Sequence, residues 1–80
     1  MTRLTLFATA GCHLCEQAHA LIEPHLGGPV GTTPTLEIVD IAESTVLTDR
    51  YGILIPVLRN EDSGVELNWP FRTEDVGKIL

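Results

Sequence analysis

Apolar and polar residues in this chain alternate between the short period of β-strands and the longer period of helices. Arg3–Ala8 is a short apolar run, and residues 36–40 and 65–68 have the same strand-like character, so each segment predicts a strand. Residues 53–59 are apolar and β-branched, and residues 60–64 are rich in turn formers. The last two predicted strands therefore form a β-hairpin.

The first predicted helix begins at the first cysteine. From Cys12 onward, apolar side chains recur every three or four residues, which predicts a helix that buries one face. Pro24 lacks a backbone donor, so the helix bends or frays there. Residues 27–34 contain three glycines and two prolines and predict a loop.

Two shorter helices are predicted from their end signals. Ser44 caps a helix that runs to about Tyr51, with Gly52 in the left-handed conformation that ends many helices. Thr73 caps a last helix whose first turn is acidic, as the helix dipole favours. The order is therefore β-α-β-α-β-β-α, and residues 1–80 are long enough for one small domain only.

Composition and charge limit the classes of function. Apolar residues make up 44% and charged residues 20% of the chain, which is typical of a globular protein. Eleven acidic residues against five basic ones give a net charge of −6, which repels nucleic acid and anionic membranes. No stretch approaches the ~20 apolar residues of a membrane span, and no secretory signal is evident. We therefore expect a cytoplasmic protein without a nucleic-acid or membrane partner, and we expect a monomer.

The chain has two cysteines, Cys12 and Cys15, three residues apart. A structural disulfide of this spacing is not expected in a reducing cytosol, so the pair indicates redox chemistry or metal binding. His19 would add a third ligand on a similar helix face, but a closed zinc site needs four ligands and no fourth is apparent. We therefore expect no metal site, with His19 and His25 on the surface.

The order of elements and several short segments resemble the glutaredoxin-like branch of the thioredoxin superfamily. These segments are Leu4-Thr5-Leu6-Phe7, Gly11-Cys12-His13-Leu14-Cys15, Val39-Asp40-Ile41, Arg50-Tyr51-Gly52 and Ile55-Pro56-Val57. The chain also resembles a compact group with Cys-His-Leu-Cys at the active site and Trp69-Pro70-Phe71 before the last helix. The resemblance implies an α/β, thioredoxin-like fold with a four-stranded mixed sheet flanked by helices, and no cofactor beyond a redox-active disulfide.

The resemblance also implies unequal roles for the two thiols. Cys12 would be the nucleophile, because the free N–H groups of a helix start favour the thiolate. Cys15 would be the resolving thiol, and His13 would either tune the thiolate or remain simply solvated. The Ile55-Pro56 bond would be cis, leaving the Ile55 backbone to pair with an extended substrate; alternatively, Pro56 merely begins a strand.

Glutathione recognition is where the chain departs from that family. Dithiol glutaredoxins usually have Pro-Tyr between the cysteines, a basic residue before them and a Gly-Gly segment followed by an acidic residue. Here those places hold His13-Leu14, residues 8–11 and residues 68–72. Without a basic clamp, attraction for the two carboxylates of glutathione should be poor. Arg72 and the start of the last helix could bind one carboxylate, and Trp69 would form an apolar wall near the dithiol or cap the core.

Two functional hypotheses follow. The favoured one is a small thiol–disulfide oxidoreductase that reduces protein or low-molecular-weight disulfides with its CxxC dithiol and takes electrons from an unknown donor. The alternative is a non-catalytic binding module on the same fold, either an Fe–S or metal carrier or a protein adaptor.

Overall fold

The computed structural model describes residues 2–26 and 34–80. Its strands are β1 (Arg3–Ala8), β2 (Thr35–Asp40), β3 (Val57–Asn60) and β4 (Glu66–Asn68). They form one sheet in the order β2-β1-β3-β4, in which β1 is parallel to β2 and antiparallel to β3, and β3 is antiparallel to β4. The predicted mixed, four-stranded α/β fold is confirmed.

Three α-helices complete the fold: α1 (His13–Ile22), α2 (Thr45–Tyr51) and α3 (Thr73–Ile79). The helix α1 passes into a 3₁₀ turn over Glu23–His25, which includes Pro24, because a proline at that point cannot continue the α-helical bonding. A second 3₁₀ turn, Ile41–Glu43, precedes α2. The loop predicted for residues 27–34 lies, apart from Pro34, outside the described residues.

The two faces of the sheet carry two separate apolar clusters. The larger cluster joins alternate residues of β1 to α1 and α3, and its buried members are Leu4, Leu6, Ala8, Cys15, Ala18, Ile22, Leu58, Phe71 and Val76. The smaller cluster lies against α2 and contains Phe7, Ile41, Tyr51 and Val57. Because β1 is central, it is buried on both faces along most of its length.

The prediction for Gly52 is wrong. Its φ is −48°, in the right-handed region, so α2 does not end on a left-handed glycine. The Gly52 N–H donates to the Thr48 carbonyl at 2.9 Å. A Cβ atom on Gly52 would lie 2.5 Å from that oxygen. Glycine is therefore required here because the backbone of Thr48 leaves no room for a side chain, and not because of a left-handed conformation.

Two further predictions need correction. The strand predicted over residues 53–59 is shorter, because the N–H groups of Leu54 and Ile55 both donate to the Tyr51 carbonyl and cannot join a sheet ladder. Thr73 does not cap α3, because it is the first residue of the helix itself, and its hydroxyl donates to the Leu21 carbonyl at 3.2 Å. Arg72 occupies the cap position instead.

Tyr51 offers a test of how α2 is attached to the sheet. Its ring is 2% exposed and stacks on Phe7 with ring centroids 4.3 Å apart, and its hydroxyl donates to Glu66. Burial, and then the Glu66 carboxylate, raise the pKa of Tyr51 above its ordinary value of 10.0. The folded protein thus holds this proton more tightly than the unfolded chain, so stability should fall as the pH rises above about 10.

The measurement is urea unfolding between about pH 8 and about pH 11 for the wild type and for Tyr51→Phe. The wild type should lose more stability than the variant above about pH 10. Tyr51 is the only tyrosine of the chain, so tyrosinate absorbance reports on it alone. Equal losses of stability in the two proteins would show that burial and Glu66 do not raise the pKa of Tyr51.

Candidate functional site

Strand register brings three connecting segments to one end of the sheet. Phe7 of β1 pairs with Val57 of β3, and Val57 pairs with Asn68 of β4. Three segments therefore lie side by side at this end: the one after β1, the one before β3 and the one after β4. These segments carry the cysteines, the Ile55-Pro56 bond and the Trp69-Pro70 bond, respectively.

The cysteines lie at the start of α1 and form a disulfide, with their Cα atoms 5.2 Å apart. Gly11 has a φ of +74°, a left-handed conformation that turns the chain from β1 into the helix. Cys12 is the N-cap residue, and its Sγ accepts a hydrogen bond from the Cys15 N–H at 3.2 Å. A helix start thus places a backbone donor on this sulfur, where it would stabilise negative charge.

The two sulfur-bearing residues differ in exposure. Cys12 is half-buried at the edge of the larger cluster, whereas Cys15 is a buried member of that cluster and is only 5% exposed. This difference follows from helix geometry, because Cys15 lies on the face of α1 that packs on the sheet. An external reagent therefore reaches Cys12 first.

Two X-Pro bonds at this end of the sheet are cis, Ile55-Pro56 and Trp69-Pro70. Pro56 is buried, and Ile55 packs at the edge of both apolar clusters. The Trp69-Pro70 conformation was not anticipated from the sequence; the only signal was that X-Pro bonds are the ones that adopt cis with appreciable frequency.

The aromatic residues after β4 belong mainly to the core. Phe71 is buried in the larger cluster, and Trp69 packs against the edge of that cluster. Their rings meet edge to face, with centroids 5.2 Å apart. Trp69 therefore closes the core at the end of the sheet where the cysteines lie.

The three histidines occupy different environments. His13 is exposed, and its Nδ1 lies 3.7 Å from a carboxylate oxygen of Glu16. His25 is half-buried, and its Nε2 contacts the Thr73 carbonyl at 2.9 Å and the Thr73 hydroxyl at 3.0 Å. This ring joins the 3₁₀ turn that follows α1 to the start of α3. His19 is half-buried on α1.

The start of α3 already carries a carboxylate of its own. Asp75 accepts a hydrogen bond from the Arg72 N–H at 2.9 Å, and Glu74 lies in the same helical turn. Arg72 itself is exposed. A carboxylate from a ligand would therefore have to approach this helix start against two fixed negative charges.

A cleft of about 220 Å³ borders the disulfide. It lies between α1, the segment after β1 and the edge strand β2. Its lining includes both cysteines and the side chains of Glu16, His19 and Ile38. Apart from the cysteines, Glu16 and His19 are the ionisable residues that line it among residues 2–26 and 34–80. Sequence reasoning missed this cleft, because its far wall comes from β2.

Residues 2–26 and 34–80 contain no group of three or more His, Cys, Asp or Glu side chains arranged to hold a metal ion. No helix within the same ranges combines the length and the apolar character needed to cross a membrane.

One family model and several solved structures match this chain. The sequence model of the family described as "Glutaredoxin-like domain (DUF836)" matches residues 3–80. The X-ray structure of target protein XcR50 from X. campestris is 35% identical, with a TM-score of 0.72, over 89% of this chain and 85% of that chain. Its solution structure is 36% identical, with a TM-score of 0.69, over 91% of this chain and 83% of that chain.

A second protein shows the same likeness at lower identity. The solution structure of protein Ne2328 from Nitrosomonas europaea is 26% identical, with a TM-score of 0.72, over 99% of this chain and 91% of that chain. No curated protein matches this chain. The solved structures therefore support the thioredoxin-like fold, and the family model covers nearly the whole sequence.

Proposed function

This chain belongs to the glutaredoxin-like family over residues 3–80, and from that premise we propose that it is a thiol–disulfide oxidoreductase reducing protein or low-molecular-weight disulfides. The observation that carries the proposal is the Cys12–Cys15 disulfide at the start of α1, with one accessible and one buried partner. A dithiol of this kind can donate two electrons and return to the disulfide.

The reaction has two displacement steps. In the first, the Cys12 thiolate attacks one sulfur of the substrate disulfide; the substrate S–S bond breaks, one thiol leaves and a mixed disulfide remains. In the second, Cys15 attacks the Cys12 sulfur, the second substrate thiol leaves and the Cys12–Cys15 disulfide forms. The Cys15 N–H, 3.2 Å from the Cys12 sulfur, would stabilise the attacking thiolate.

The backbone near Ile55 limits how a substrate could pair beside the cysteines. The Ile55 N–H already donates to the Tyr51 carbonyl at 3.1 Å. Pairing with an extended substrate segment would therefore use the Ile55 carbonyl, which accepts from a substrate N–H. Pro56, being buried, would hold this segment in place without itself donating.

His13, Trp69 and Arg72 would have secondary roles in this proposal. His13 would attract the Cys12 thiolate only when protonated, and the nearby Glu16 carboxylate offsets part of that charge. Trp69, at the edge of the core, would contact an apolar substrate segment. Arg72 is exposed and would attract an anionic group.

Glutathione disulfide is expected to be a poor substrate compared with a neutral disulfide. Asp75 and Glu74 occupy the helix start where an anionic ligand would bind, and the chain carries a net charge of −6. We expect glutathione disulfide to react about tenfold more slowly than hydroxyethyl disulfide at low salt, with a smaller difference at high salt.

The matched variant is Asp75→Asn, which keeps an oxygen to accept the Arg72 N–H but removes the charge. It should raise the rate with glutathione disulfide and leave the rate with hydroxyethyl disulfide unchanged. The expectation is wrong if the wild type reacts faster with glutathione disulfide than with hydroxyethyl disulfide and Asp75→Asn does not change the rate with glutathione disulfide. Glutathione would then be a good partner.

The proposed function is tested by catalysis and by the reduction potential. Reduced protein, regenerated by dithiothreitol, should accelerate the reduction of hydroxyethyl disulfide above the rate with dithiothreitol alone. Equilibration in thiol buffers should give a potential between about −200 and about −270 mV, the range of glutaredoxins and thioredoxins. Absence of catalysis, with metal or iron–sulfur absorbance in the purified protein, would instead favour a carrier.

A further inference from the structure

The proposed reaction requires a proton acceptor for the buried cysteine. Cys15 must lose its proton before it can attack the Cys12 sulfur, because the thiolate is the nucleophile. Its side chain lies among the apolar residues of the larger cluster and is 5% exposed. The cleft of about 220 Å³ reaches Cys15 and is wide enough for water. The acceptor should therefore be a group that lines this cleft.

His19 has the position and the chemistry for that role. It follows Cys15 by four residues on α1, so the two side chains lie one above the other on one face of the helix, with Cβ atoms about 5–6 Å apart. Both residues line the cleft, and His19 is half-buried. An imidazole is the side chain that most readily accepts and returns a proton near neutral pH.

The other ionisable groups near the cysteines are less suited. Glu16 comes directly after Cys15, which places it about 100° around the helix. Its side chain is 76% exposed and lies beside His13. His13 is outside the lining of the cleft, and the Nε2 of His25 is taken by Thr73.

We propose that His19 is the proton acceptor for Cys15 in the resolving step, either directly or through a water molecule in the cleft; the proposal rests on the proposed dithiol function. The proton moves from the Cys15 sulfur to the imidazole. The Cys15 sulfur then bonds to the Cys12 sulfur as the bond between Cys12 and the substrate sulfur breaks. The departing substrate thiolate carries away the electron pair and takes up the proton, so the dithiol is oxidised and the substrate is reduced.

The two steps can be separated with Ellman's reagent. When reduced protein is in excess, attack by Cys12 releases one thionitrobenzoate, and attack by Cys15 on the mixed disulfide releases the second. Stopped-flow absorbance resolves the two releases. His19→Gln should slow the second release about tenfold or more and leave the first unchanged.

His19→Glu is the matched comparison, because Glu and Gln have nearly the same shape and differ in the ability to take a proton. The Glu variant should release the second thionitrobenzoate faster than the Gln variant. Gln17→Ala, on the exposed side of α1, should behave as the wild type in both phases. An unchanged first phase shows that Cys12 keeps its reactivity in each variant.

Each other outcome has a definite meaning. An unchanged second phase in His19→Gln, or equal slowing in the Gln and Glu variants, would overturn the role of His19 while leaving the dithiol function intact. If the wild type releases only one thionitrobenzoate per reagent molecule, Cys15 does not resolve the mixed disulfide, and the proposed function itself fails.

Discussion

Cys12→Ser is expected to reduce disulfide exchange to the uncatalysed rate, whereas Cys15→Ser should stop the reaction after its first step and accumulate a mixed disulfide. The difference follows from exposure, since an external disulfide reaches Cys12 and not the buried Cys15. Mass spectrometry after incubation with hydroxyethyl disulfide should show one adduct on the Cys15→Ser protein and none on the Cys12→Ser protein.

Serine is a suitable replacement at position 12, because its hydroxyl can accept the Cys15 N–H and keep the helix capped. Loss of activity then reports on sulfur chemistry and not on unfolding of α1. Equal residual turnover in the two variants would contradict the assignment of roles. Trapping with Cys15→Ser in a cell extract would identify the class of partner, and recovery of glutathione alone would overturn the expectation about glutathione.

Local signals predicted the elements of the fold well wherever a single interaction decides them. The apolar run of β1 is bounded by a polar start and by Gly11, and its predicted limits agree with the structure. Ser44 caps α2 as predicted, its hydroxyl accepting the Leu47 N–H at 3.3 Å. Both features depend on residues that are close in sequence.

The predictions failed where a distant contact competes with a local one. Thr73 has the chemistry of a cap, but its hydroxyl binds the carbonyl of Leu21, which is far away in the sequence. At the same helix start, the Asp75 carboxylate accepts a hydrogen bond from the Arg72 N–H. Propensity gives no information about such contacts, because they depend on how α1 and α3 pack.

The same limit applies to the site. The spacing of Cys12 and Cys15 at a helix start could be read from the sequence, and the four-residue step to His19 placed that ring on a similar face. The cleft that gives the ring a role could not be predicted, because Ile38 reaches it only through the pairing of β2 with β1. Register between distant strands is the missing information.

That register leads to the prediction with the largest effect on stability, Leu6→Ala. Leu6 is 1% exposed, pairs with Ile38 on one side and with Leu58 on the other, and lies in the larger cluster. Its truncation should lower the free energy of unfolding by about 2–5 kcal/mol through lost burial and a residual cavity. A domain of this size has about 4–12 kcal/mol in total, so the variant should be close to unfolding.

The matched control is Ile38→Ala, in the partner strand at the same register, where the side chain is 54% exposed. Its truncation should lower the free energy of unfolding by less than about 1 kcal/mol, because a side chain that is already exposed loses little apolar burial. Urea unfolding of the oxidised proteins measures both changes under one set of conditions. If the two substitutions lower the free energy of unfolding equally, Leu6 is not the buried partner in this pair.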